Sequence, residues 1–264
     1  LKENKKDLAS YIDELESKLV DLSLKLKAKD TELKTVQTEN FNRIRKVVHN
    51  LKNPIGVAYS FAEILATIDC VSANEKSKKY VEIIKNSNDF SIQFLTSLSK
   101  LNRLKSPDYK LIKASTNYIK LVSIAVDEFA YEAKDKNRLI LNKTSGNELF
   151  LNIDSPEIEF LIRILIRNAV RFSSKETTIT VEVIEQNDCI ETIIKDQGIG
   201  ISATDLKTIF NEFFVVNTYD VANEKCIGLG LTIAKIILEK HHGTIDVKST
   251  LNSGTEVKIS IPKK

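Results

Sequence analysis

Asp196-Gln197-Gly198-Ile199-Gly200 closes a β-branched run at residues 190–195, and Gly228-Leu229-Gly230-Leu231 opens an amphipathic helical pattern. Glycines let backbone approach a ligand closely, and a helix N-terminus offers unpaired amides to phosphate, so the two stretches together point to a nucleotide site. An aspartate at a strand end, as Asp196 is, can accept a hydrogen bond from an adenine amino group. Upstream, Asn168 on a helix can offer its amide oxygen to Mg²⁺, and Arg171, three residues on and on the same face, can reach phosphate.

Outward from these stretches the texture is mixed. Residues 139–142, 149–153, 179–184, 190–195, 244–249 and 256–261 alternate or run apolar and β-branched, as strands do. Ser155-Pro156-Glu157 starts a helix, with Ser155 as N-cap, Pro156 at N1 and an early acid. His241 and His242 precede Gly243 at an expected helix end, where imidazole favours the negative end of the dipole and glycine terminates the helix; the pair is read as structural and not as ligands. Phe213 and Phe214 are read as hinge and core packing rather than base-stacking groups.

The N-terminal part has a different period. Ile12, Leu19, Leu26 and Leu33 repeat every seven residues, interleaved with Leu8, Leu15, Leu22, Lys29 and Val36, and Lys29 alone interrupts the apolar seam. Such 3-4 spacing predicts a narrow stripe that is buried most simply against a second copy, as a parallel coiled coil. After Asn40 the seam changes phase and continues through Phe41, Ile44, Val48, Leu51 and Ile55, as at a stutter. Residues 69–73 read as a turn and 73–105 as a second helix, with Ile84, Phe94, Leu98 and Leu101 recurring. Ser106-Pro107-Asp108 stops it, which places a domain boundary near residues 106–110. Two such hairpins make a four-helix bundle in a homodimer.

Composition sets outer limits. Of 264 residues 42% are hydrophobic, and 39 basic residues nearly balance 36 acidic ones, so no basic footprint for nucleic acid or an anionic membrane is present. The three cysteines, Cys70, Cys189 and Cys226, are isolated, which argues against a disulfide framework or a zinc cluster and fits a reducing cytoplasm. No apolar stretch is long enough to span a bilayer. The chain opens at Leu1 and contains no methionine, so it is expected to be a trimmed piece of a longer chain whose sensor, and any membrane anchor, lies ahead of it.

His49-Asn50-Leu51-Lys52-Asn53-Pro54 sits on the first helix, with the histidine off the apolar seam and facing water. Pro54 removes the amide that would bond to the carbonyl of Asn50, loosening one turn beside the imidazole. This segment resembles the phospho-acceptor box of histidine kinases. Further on, Asn168-Ala169-Val170-Arg171-Phe172, Asp196 to Gly200, Ile209 to Phe214, Gly228 to Leu231 and Gly254-Thr255 resemble, in order, the N, G1, F, G2 and G3 boxes of the kinase ATP-binding domain. The resemblance covers residues 41–264. It implies an α+β chain: a coiled-coil signalling helix over 1–40, a dimerisation and phospho-acceptor hairpin over 41–106, and an α/β sandwich ATP-binding domain over 107–264, of the kind shared with DNA gyrase and heat-shock chaperones. Residues 216–227 would be a mobile lid over the phosphates.

The resemblance further implies the chemistry. His49 would take the γ-phosphoryl of Mg²⁺-ATP and pass it to an aspartate of a response-regulator receiver domain, and Asn53 would position water in a second, phosphatase role. Asn168 would hold Mg²⁺, while Arg171, Phe172, Asp196, Gly198, Gly200, Gly228, Gly230 and Thr255 would hold the nucleotide. The chain departs from the family pattern at Asn50, where an acid is usual, and at Ile164, Val215 and Cys226, where asparagine, a basic residue and glycine are usual. Asn50 cannot accept the imidazole proton, a loss of general-base help on the order of 10²–10⁴ in rate. Weakened kinase activity is therefore expected, and the runner-up reading is a dimeric signalling scaffold without phosphate transfer. A simple ATPase of the same superfamily is disfavoured, because Ile164 stands where such enzymes place a water-activating glutamate.

Overall fold

The computed structural model describes residues 2–68, 71, 74–135, 139–142, 148–216 and 226–263. Helix α1 (Lys2–Thr67) is continuous through the phase change after Asn40 and through Pro54. Its seam residues stand out from the chain: Leu19 is 66% exposed, Leu22 63% and Leu26 74%. The side chains of Leu8 and Ile12, and most of the expected turn at 69–73, lie outside the described residues. Helix α2 (Glu75–Lys105) begins two residues later than its periodicity predicts, because Asn74 caps it by accepting from the amides of Lys76 and Ser77. The two helices pack as a hairpin, burying Val48 and Ala62 of α1 and Val81 and Leu95 of α2, with Asn102 Nδ2 donating to the Phe41 carbonyl at 2.9 Å. Ile84 of the expected α2 stripe is instead 44% exposed in the single chain.

Beyond Lys105 the chain forms β1 (Ala114–Asn117), α3 (Tyr118–Asp135), β2 (Leu139–Asn142), β3 (Phe150–Ile153), α4 (Ser155–Phe172), β4 (Thr178–Glu185), β5 (Cys189–Lys195), α5 (Gly230–Lys240), β6 (Thr244–Thr250) and β7 (Gly254–Pro262). Five strands make a sheet in the order β2-β4-β5-β7-β6, parallel only between β2 and β4, and β1 pairs with β3 apart from it. Alternate residues Ile179, Val181 and Val183 of β4 are buried, as a sheet covered on one face requires. The covering layer is α3, α4 and α5, packed on one another, so the domain is a two-layer α/β sandwich behind a helical hairpin. Tyr118 is fully buried in this core, its hydroxyl 2.6 Å from Thr192 Oγ1.

Several local expectations need correction. The N-cap of α4 is Asp154 and not Ser155: Asp154 is extended, its carboxylate accepts from the Glu157 amide at 3.3 Å and from the Ile112 amide at 2.8 Å, and Ser155 is already helical. At the end of α5 the left-handed residue is His242, at φ 59°, while the Gly243 amide bonds back to the Leu238 carbonyl at 2.8 Å. His241 is not a cation at the helix terminus. It is buried, which pushes its pKa down, and Nε2 accepts from the Asp154 amide at 3.1 Å, so Nδ1 carries the hydrogen and donates to the Ile237 carbonyl at 2.8 Å.

Candidate functional site

Helix α4, the loop after β5, the start of α5 and the start of β7 converge on a cavity of about 380 Å³. Asn168 and Arg171 come to it together because they lie three residues apart on α4, whose opposite face, including Leu161, Ile162 and Ile166, is buried in the core. Phe172, at the end of α4, lines the same wall.

At the floor, Asp196 is 8% exposed and its Oδ1 accepts from the amides of Gly198 at 2.8 Å and Thr255 at 3.2 Å. The second carboxylate oxygen is not engaged by either amide. Burial pushes the carboxyl up to about 6, against the two backbone hydrogen bonds that draw it down. Thr255 is fixed in turn, its carbonyl accepting from the Asp196 amide at 2.8 Å and its hydroxyl lying 2.9 Å from Ser249 Oγ. Gly200, Gly228 and Gly230 line the cavity. Gly228 has φ 74°, and a side chain there would meet the Phe214 carbonyl oxygen at 2.6 Å, so glycine is required on both counts.

Gly198 is placed differently from the other predicted nucleotide residues. It does not line the cavity; an added Cβ would lie 2.2 Å from the Phe172 carbonyl oxygen, so this glycine lets the loop cross the end of α4. Phe214 lines the cavity, whereas Phe213 is half exposed at φ 60° and lies with its ring centroid 6.4 Å from that of Phe94 on α2, bridging to the hairpin rather than packing in the core. Three of the four departures, Ile164, Val215 and Cys226, also line the cavity. Asn217, Asn223, Glu224 and Lys225 of the expected lid lie outside the described residues.

Four polar cavity residues escaped the sequence reading: Arg167, one position before Asn168, and Gln93, Thr96 and Ser97 on α2. Nothing in the local pattern of α2 marks them, since their role depends on how the hairpin docks against the domain. Lys100 and Arg103 of α2 bind the buried Glu157 of α4 at 2.6 and 2.5 Å, the Tyr109 hydroxyl donates to Glu157 at 2.8 Å, and Lys105 pairs with Glu212. Burial and the Glu157 carboxylate push the Tyr109 hydroxyl up, which keeps it a donor.

His49 and Asn50 are exposed on α1 and do not line the cavity. Asn53, one turn beyond His49, borders a separate shallow groove with Gly56, Val57, Phe61 and, from α2, Ile92. Among the described residues no cluster of three acidic, histidine or cysteine side chains could hold a metal. The one amide oxygen of Asn168 suits a magnesium ion that keeps its waters and its nucleotide phosphates as the remaining ligands.

The family model for the histidine kinase-, DNA gyrase B-, and HSP90-like ATPase matches residues 153–264. The chain is similar to the sensor histidine kinase WalK of Bacillus subtilis, 25% identical over 236 residues that cover 89% of this chain and 38% of WalK. It is also similar to the histidine protein kinase SaeS of Staphylococcus epidermidis, 29% identical over 238 residues, 88% of this chain and 66% of SaeS. The chain thus spans less than two thirds of the length of these curated relatives. In fold it matches full-length ShkA, solved in complex with AMPPNP, at a TM-score of 0.69 and 18% identity, covering 84% of this chain and 45% of that one. The Acinetobacter baumannii histidine kinase AdeS matches at 0.55 and 19%, covering 82% and 98%. Residues 153–264 are an ATPase-family domain, and over most of its length the chain is similar to sensor histidine kinases. No helix among the described residues is long and apolar enough to cross a membrane.

Proposed function

We propose that the chain is the dimerisation and catalytic core of an ATP-dependent protein histidine kinase working in the cytoplasm. The observation that carries this reading is the convergence of Asn168, Arg171, Asp196, Gly228 and Thr255, distant in sequence, on one cavity, in a chain whose exposed His49 precedes a helix-weakening Pro54. Asp196 accepts the adenine amino hydrogen, Arg171 meets phosphate, and Asn168 gives an oxygen to Mg²⁺, which when bound offsets phosphate charge. Nitrogen of His49 attacks the γ-phosphorus as the bond to the ADP oxygen breaks, and the imidazole proton leaves to solvent because Asn50 cannot take it. The phosphoryl then passes to an aspartate of a response-regulator receiver domain. Asn53, on the same helix face, orients water in hydrolysis of the regulator's phospho-aspartate. Residues 1–40 serve as the signalling coiled coil, 41–106 as the phospho-acceptor hairpin and 107–264 as the ATP-binding domain, in a homodimer.

A second reading is favoured by the placement of Ile164, Val215 and Cys226 on the cavity wall: a nucleotide-binding scaffold without transfer. Both readings require ATP binding, so calorimetric titration tests what they share. Incubation with γ-labelled ATP separates them, since only the kinase acquires acid-labile, base-stable label.

A further inference from the structure

We infer that helix α2 of the hairpin is part of the nucleotide site, with Gln93, Thr96 and Ser97 contacting the phosphate end; this rests on the cavity being the ATP site. Helix α2 lines the cavity with Ile92, Gln93, Thr96 and Ser97. Three of these four carry uncharged hydrogen-bond donors, and none carries a negative charge that would repel phosphate.

Helix α2 packs on α5, and just beyond the end of α2 the Tyr109 ring lies 5.3 Å from Lys240 Nζ at the last turn of α5. Residues 93–97 lie two to three turns back along α2, about 12–18 Å at 1.5 Å per residue, which is the distance back along α5 from Lys240 to Gly230. Gly230 begins α5 and lines the same cavity with Leu231, at the helix end that favours phosphate. The polar residues of α2 therefore stand over the phosphate end and not over Asp196. Ile92 also borders the groove on α1 that contains Asn53, so one α2 residue lines both the nucleotide cavity and the surface one turn past His49.

The docking that creates this wall is well anchored. Lys100 and Arg103 on Glu157, Lys105 on Glu212, and Phe94 beside Phe213 all join α2 to the domain. ATP affinity of the whole chain is consequently a property of the hairpin as well as of the domain.

Calorimetric titration of the full chain with ATP and, separately, adenosine tests this. The double variant Thr96→Val, Ser97→Ala and the single variant Gln93→Ala should each bind ATP about five- to tenfold more weakly, the effect of losing about one hydrogen bond, while adenosine affinity stays unchanged. Ser97→Trp, which places bulk in the cavity, should weaken ATP binding at least as much, and Thr96→Ser, which keeps the hydroxyl, should bind as the parent does. Equal ATP affinity in the parent, the double variant and Ser97→Trp, with helicity retained, would overturn the assignment of α2 to the site. Equal losses for ATP and adenosine would overturn the phosphate-end assignment. Failure of the parent itself to bind ATP would instead reject the proposed function on which this inference depends.

Discussion

Lys100 Nζ lies 2.6 Å from a carboxylate oxygen of Glu157, joining the hairpin to the first turn of α4 where Glu157 is 2% exposed. A carboxylate so buried is retained because Arg103 and Tyr109 donate to Oε1 and the Lys100 ammonium pairs with Oε2. Replacing it by glutamine keeps the shape and removes the charge these donors share. Glu157→Gln should lower stability by about 1–3 kcal/mol and speed proteolysis near Pro107, read by denaturant unfolding and limited digestion. An unchanged midpoint and digestion rate would show that the cluster does not hold the two parts together.

Asp196 gives the site a pH dependence whose sign follows from its burial. Its folded value, about 6, lies above the unfolded value of 3.8, so the native state holds the proton more tightly. Its contribution to stability is therefore greatest at acid pH, falls as pH rises from about 4 to 6, and leaves a penalty of about 3 kcal/mol above that. Asp196→Asn should remove this slope and stabilise the ligand-free protein at pH 7. ATP affinity should move the other way, falling as pH drops through 6, and should be weakened about tenfold or more in the variant, where an amide NH₂ faces the adenine amino group. Titrations at pH 5.5 and 7.5 check both.

The exposed faces of Leu19, Leu22 and Leu26 predict self-association. Light scattering should give about twice 29.8 kDa for the parent. Leu22→Glu with Leu26→Lys should shift the chain toward monomer at micromolar concentration without changing ATP affinity, because neither residue is near the cavity.

The long helix and its seam were legible because residues spaced three and four apart carry the whole signal. The strands β4 to β7 were legible from β-branched runs. Helix α3 was missed although Tyr118, Leu121, Val122, Ala125, Val126 and Phe129 have a clear helical period and are all buried; of the short pair flanking it, β3 was legible in residues 149–153, whereas the polar Ala114-Ser115-Thr116-Asn117 of β1 offers little pattern. Asn168, Arg171, Asp196 and Thr255 were legible as chemistry attached to recognisable local structure. Gln93, Thr96 and Ser97 were not, since a polar residue on an amphipathic helix reads the same whether it faces water or a cavity wall. Gly198 was read as a ligand-facing glycine because sequence cannot distinguish close approach to a nucleotide from close approach to the backbone of Phe172.

Asn50 is exposed on α1 beside His49 and can orient the ring without accepting its proton. Asn50→Asp should raise the rate of label incorporation from γ-labelled ATP by up to about 10²-fold, the scale of one general base. No increase would show that proton removal does not limit the step.

The most direct measurement concerns the nucleophile. The parent and His49→Gln are incubated with γ-labelled ATP and Mg²⁺, and the label on each chain is tested for loss in acid and survival in base, as a phosphoramidate behaves. With His49 as nucleophile the parent is labelled and His49→Gln is not, with dimerisation and ATP affinity equal in both. Equal labelling of the two would contradict the assignment of His49, and absence of label from a parent that binds ATP would leave the scaffold reading in place of the kinase.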